Sequence, residues 1–115
     1  MQEKIESFGY KLWNTEKEWL GENLCVTNQY QKRVDKTSWW LSAPLCKTND
    51  KLFLNIKETK ITLNGKVFHS WTVNICHENG NEQWCSLDIY GLKEEDLENM
   101  LTFEDKLRKM WIAFN

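Results

Sequence analysis

The residue types best suited to chemistry in this chain are cysteine and histidine, and they gather in one stretch. Cys76 and His77 are adjacent, Cys85 follows, and His69 precedes them. Thiolate and imidazole are the usual ligands of zinc, and hairpins often present them. The stretch has no C-x₂-C pair, so the spacing required of a zinc knuckle is missing. Two buried thiols and a hydrogen-bonded histidine account for the same residues. Nucleophilic catalysis needs Ser or Cys beside a base and an orienting group. Nothing resembles a G-x-S-x-G elbow, and the five glycines are scattered, with no phosphate-cradling loop. Carboxylates occur throughout and single out no pair for hydrolysis. The sequence therefore predicts a non-enzymatic protein with no cofactor and no metal.

A second group of residues suits recognition. Tyr30, Lys32, Arg33 and Lys36 lie close to Trp39 and Trp40. Basic and aromatic side chains on one sheet face can stack a base and grip phosphate. The chain holds seven tryptophans in 115 residues, and each can bury roughly 150–250 Å². That exceeds what one small core needs. Neighbouring strand residues point to opposite faces, so one of Trp39 and Trp40 faces away from the core. Trp84 is expected on the face opposite Trp71. Outward tryptophans amid polar residues are what interface hot spots are made of.

Charge sharpens this reading. The chain carries a net −2, which disfavours a non-specific nucleic-acid binder. From Leu24 to Lys66, eight Lys and Arg face three acids, a net of +5, and from Leu92 to Asp105 six acids face one lysine, a net of −5. Glu94, Glu95 and Asp96 open the second block. They suit the start of a helix dipole, and they can also steer the molecule toward a basic partner such as a nucleic-acid enzyme.

The elements that must position these residues follow from periodicity. Composition is that of one ordinary folded domain, at 41% hydrophobic and 28% charged with a single proline. No apolar run approaches the ~18 residues needed to cross a membrane. The stretch from Met1 to Tyr10 lacks the apolar segment of a signal peptide, so the expected compartment is the cytoplasm. There Cys25, Cys46, Cys76 and Cys85 are free thiols. In a secreted chain they would form two disulfides in any of three pairings.

Phe8, Tyr10 and Leu12 alternate as in a strand. Thr15-x-x-Glu18 matches a capping box and predicts a short helix ending at Gly21. Leu24 to Val34 alternates with period two, as do Ser38 to Ala43 and Leu52 to Lys57. Asp35-Lys36-Thr37 reads as a turn and Lys47 to Lys51 as a loop. Asn64-Gly65 and Asn79-Gly80 mark hairpins. A three-residue loop with a bulge at each glycine gathers the apolar residues best. It pairs Ile61 with Val67, Val73 with Cys85, Trp71 with Leu87 and His69 with Ile89, placing Cys76 and Cys85 on opposite faces. Lys93 to Phe114 is helical, with a break at Thr102-x-x-Asp105. Phe103, Leu107, Met110 and Trp111 are expected to cover the Trp71 face.

The expected fold is α+β. It is an antiparallel meander of about five to seven strands with a short N-terminal helix and a C-terminal helical region packed on one sheet face. Strands followed by a helix carrying Trp111 resemble, in element order alone, pleckstrin-homology-like barrels and shortened helix-grip folds. The expected function is occlusion of a protein partner, of inhibitor, immunity or counter-defence type. Trp39, Trp40, Trp84 and Tyr30 would serve as anchors, with Lys32, Arg33, Glu94, Glu95 and Asp96 setting orientation. The alternative is a small ligand or nucleotide held on the basic-aromatic face.

Overall fold

The computed structural model describes residues 1–34, 51–79 and 81–114. Helix α1 (Gln2–Ser7) leads into strands β1 (Lys11–Leu20), β2 (Asn23–Val34), β3 (Lys51–Leu63), β4 (Lys66–Asn79) and β5 (Glu82–Leu92), and helix α2 (Glu94–Phe114) closes the chain. The strands form one antiparallel sheet in sequence order. The meander and both helices agree with the α+β expectation. Among the described residues the sheet runs from β1 to β5 without a pairing between those two strands, so the barrel likeness does not extend to closure there. Among the described residues no helix is long and apolar enough to cross a membrane. The strand expected at Ser38 to Ala43, with the turn and loop around it, lies outside the described residues.

Alternation builds the core. Leu52, Leu54 and Ile56 on β3 and Trp71, Val73 and Ile75 on β4 are buried in strict period two. Tyr30 on β2, Tyr10, and Ile5 of α1 join them. Helix α2 adds Leu97 and Leu101. The coverage expected from the second half of α2 differs. Phe103 and Met110 are 64% and 55% exposed, because the stripe that meets the sheet is Leu97, Met100 and Leu101. Trp111's side chain lies outside the described residues. Two ion pairs tie α2 down, Lys4 to Glu98 and Lys32 to Glu104, each at 3.3 Å.

Several local expectations are corrected. The segment from Thr15 to Gly21 is strand and turn, with no helix. It pairs residue for residue with β2, from Thr15↔Asn28 to Leu20↔Asn23. Thr15 Oγ1 donates across the sheet to Asn28 Oδ1 at 2.9 Å, so the supposed cap is spent on a cross-strand bond. The early helix lies at α1 instead. Helix α2 runs through Thr102, whose Oγ1 donates back to Glu98 O at 3.0 Å.

Both hairpin registers also differ. Asn64 (φ 51°) and Gly65 (φ 78°) form a two-residue turn closed by Leu63↔Lys66. Ile61 therefore faces Phe68. At the second hairpin Asn79 pairs with Glu82, and the ladder continues through His77↔Trp84 and Cys76↔Cys85. A register shift between Ile75 and Cys76 then brings Ile75 to Leu87 and Val73 to Ile89. An irregularity in mid-strand, in place of a bulge at the turn, restores apolar pairing. Val67 and His69 drop out of the continuous apolar face expected for them. Val67 is 66% exposed, and His69 binds a carboxylate.

Candidate functional surfaces

Tyr30 and Lys32 occupy the helix-facing side of β2, at 1% and 9% exposure. Lys32 Nζ donates to Phe8 O at 3.1 Å, meets Glu104 Oε2 at 3.3 Å and sits 4.7 Å above the Tyr10 ring. These contacts hold α1, β2 and α2 together. Burial, then the nearby charges of Glu58 and Glu6, push the Tyr30 hydroxyl above its usual pKa. Arg33 is exposed and lies in the opposite phase of β2. Trp39, Trp40 and Lys36 lie outside the described residues. The register sets position 84 across from His77, in phase with Trp71 along β4 and not opposite it; the Trp84 side chain lies outside the described residues. Glu94, Glu95 and Asp96 are exposed in the first turn of α2, directly after β5 ends opposite Trp71. Among the described residues, Tyr30 and Lys32 lie on the buried side of β2 and Arg33 on the other, apart from the acids of α2.

Three other groupings do form. The first is an apolar end to the sheet. Trp19 and Leu20 end β1, Leu63 ends β3, and Val67 and Phe68 begin β4. The pairings Trp19↔Leu24, Cys25↔Ile61 and Ile61↔Phe68 bring the two hairpin turns side by side. Asn64 N donates to Asn23 Oδ1 at 3.3 Å, linking one turn to the other. Trp19 and Val67 are 67% and 66% exposed, Phe68 54% and Leu20 52%. Sequence reasoning missed Trp19 because a helical reading of residues 15–21 hid its strand phase.

The second grouping surrounds Glu58, a carboxylate 6% exposed. Asn28 Nδ2 donates to its Oε1 at 2.9 Å and His69 Nε2 to its Oε2 at 2.7 Å. Lys60 Nζ lies 3.8 Å away. His69 also tilts against Trp71, with ring centroids 5.0 Å apart. A carboxylate-oriented imidazole is half of a catalytic triad. The adjacent hydroxyl, Ser70, lies in the opposite phase, and among the described residues no hydroxyl or thiol is recorded in contact with His69. Among the described residues no cluster of His, Cys, Asp or Glu can hold a metal ion.

The third is the sheet face away from α2. A groove of about 490 Å³ is lined there by Trp13, Gln29, Gln31, Phe53, Asn55 and Asn74, with Cys76 and Cys85 at one side. Those two cysteines are joined in a disulfide, their Cα atoms 4.1 Å apart. This corrects the expectation of free thiols on opposite faces, and the corrected register is the reason. Cys25 is free and half-buried, and Cys46 lies outside the described residues. No family model matches the chain, and no curated protein matches it.

Proposed function

We propose that the chain is a non-enzymatic binding protein that blocks a protein partner by seating its paired hairpin ends in a cleft. One observation carries the reading: at one end of the sheet five large apolar residues stand exposed, Trp19 and Val67 in one strand phase and Leu20, Leu63 and Phe68 in the other. Isolated apolar side chains on a surface are ordinary, whereas several large ones gathered at one end of a sheet, a tryptophan among them, have the composition of a hot spot. Both turns are short and tied to each other, so the end is pre-organised and loses little freedom on docking. Charges of both signs flank it, Lys17, Lys60 and Lys66 beside Glu18 and Glu22, and Glu94, Glu95 and Asp96 add an acidic block at the start of α2. The nucleotide alternative is weakened by the burial of Tyr30 and Lys32. The Cys76–Cys85 bond favours an oxidising compartment over the cytoplasm.

Affinity capture from host lysate with wild-type protein and with Trp19→Ala tests the proposal. Wild type is expected to retain a stoichiometric protein that the variant loses, at a cost of about 2 kcal/mol or more in affinity, with thermal unfolding unchanged. Equal capture by both proteins, or a matching loss of stability, would overturn it.

A further inference from the structure

The groove on the outer sheet face matches neither an anion nor an apolar partner. Among the described residues its charged lining side chains are Lys57 and Glu78, one of each sign. The remaining polar lining is dominated by carboxamides. Gln31, Asn55 and Asn74 stand in register on β2, β3 and β4, a row about 10 Å long at the spacing of neighbouring strands. Gln29 and Thr72 continue the polar lining one step along. Each carboxamide offers both a donor and an acceptor. That is the pattern a sugar hydroxyl requires, since it donates and accepts in turn.

The amides are also pre-set. Gln31 Nε2 donates to Asn55 Oδ1 at 3.0 Å, which fixes the two amides relative to each other. Asn14 Nδ2 donates to Gln29 Oε1 at 3.0 Å and fixes that side chain likewise. An aromatic platform completes the site. The β1 ladder skips Trp13 between Leu12↔Tyr30 and Asn14↔Gln29. That bulge directs both Trp13 and Asn14 to the outer face. The indole is 60% exposed at the rim of the groove, and Phe53 lies half-buried within it. The apolar C–H face of a pyranose ring stacks on an exposed indole, while its equatorial hydroxyls reach sideways to amides. The volume lies within the range of about 300–1,000 Å³ typical of ligand sites. The disulfide along one side agrees with an oxidising compartment, where extended glycans are found.

From this arrangement we infer that the outer face binds a neutral oligosaccharide, with Trp13 as the stacking platform and Gln31, Asn55 and Asn74 as the hydrogen-bonding row. This site is separate from the hairpin end, so the two proposals stand or fall independently.

Calorimetric titration and amide-shift mapping with cellohexaose, chitohexaose, mannohexaose and laminarihexaose test it on the intact chain. At least one sugar is expected to bind at micromolar to millimolar concentration, shifting backbone amides of β2, β3 and β4. Trp13→Ala and Gln31→Ala should each weaken binding about tenfold or more, while Trp19→Ala leaves it unchanged. Added salt should have little effect, since no ion pair is involved. Both tested side chains lie on the outer face, away from the core, and unfolding curves check that the variants are folded. Failure of every sugar to bind at the solubility limit overturns the inference, as does binding that survives Trp13→Ala or depends on Trp19.

Discussion

Lys32 Nζ and Glu104 Oε2 meet at 3.3 Å across 72 residues of sequence, joining the middle of the sheet to the middle of α2. Their side chains are 9% and 14% exposed, so solvent screens the pair little. Removing one partner from such a pair leaves a buried charge, whereas replacing both with apolar groups of similar volume does not. Glu104→Gln is expected to cost about 2–3 kcal/mol, below the full penalty because Phe8 O still accepts from Lys32 Nζ. The double variant Lys32→Met/Glu104→Leu should recover most of that loss. Urea denaturation of the cycle gives the answer, and a double variant worse than the single one would refute the account.

Tyr30 makes stability depend on alkaline pH. Its hydroxyl titrates above the ordinary value of 10.0, first because it is buried and then because Glu58 and Glu6 disfavour a second negative charge. The folded state therefore holds this proton more tightly than the unfolded chain does. Its contribution is complete below pH 10.0 and is lost as pH rises through the folded pKa. Stability should stay level up to pH 10.0, fall from there to the folded pKa and level off above it, and Tyr30→Phe should flatten the fall. An equally steep fall in the variant would assign the effect elsewhere.

The Cys76–Cys85 bond closes a short loop, with a sequence separation of 9. Loop-closure entropy at that length predicts a loss of about 2–3 kcal/mol on reduction or in a Cys76→Ser/Cys85→Ser variant. Peptide mapping of the unreduced protein should recover residues 76 and 85 in one cross-linked fragment. Recovery of both as free thiols from protein kept oxidised would contradict the bond.

The elements were legible wherever a side-chain period was strong. Leu52, Leu54 and Ile56, and Trp71, Val73 and Ile75, declared a buried strand face that the structure places at the core. The order of strands and the C-terminal helix followed from the same signal. Register was not legible, because it rests on one residue at each turn. A two-residue loop at Asn64-Gly65 and a mid-strand shift after Ile75 moved every pairing derived from the turns. The candidate surfaces depended on that register. Cys76 meets Cys85 only in the observed one, and Tyr30 and Lys32 read as a binding face only while their side of β2 was unassigned. Thr15-x-x-Glu18 failed for a related reason. A capping box is local, and the cross-strand pairing of β1 with β2 outweighs it.

The turn that set the β3–β4 register can be tested directly. Gly65 has φ 78° and Asn64 φ 51°, the left-handed conformations that a two-residue hairpin loop demands. A Cβ at Gly65 would meet nothing within 4 Å, so a substitution there suffers from backbone strain alone. Gly65→Ala is expected to cost about 1–2 kcal/mol, and Asn64→Val a similar amount, because a β-branched side chain resists positive φ. Asn64→Gly keeps the conformation accessible and should change stability by well under about 1 kcal/mol. Denaturant midpoints rank the variants. If Gly65→Ala proves neutral while the Leu63–Lys66 pairing persists in backbone exchange measurements, the left-handed turn is not what fixes this register. The amide row of the outer face would then owe its alignment to the strand pairings alone.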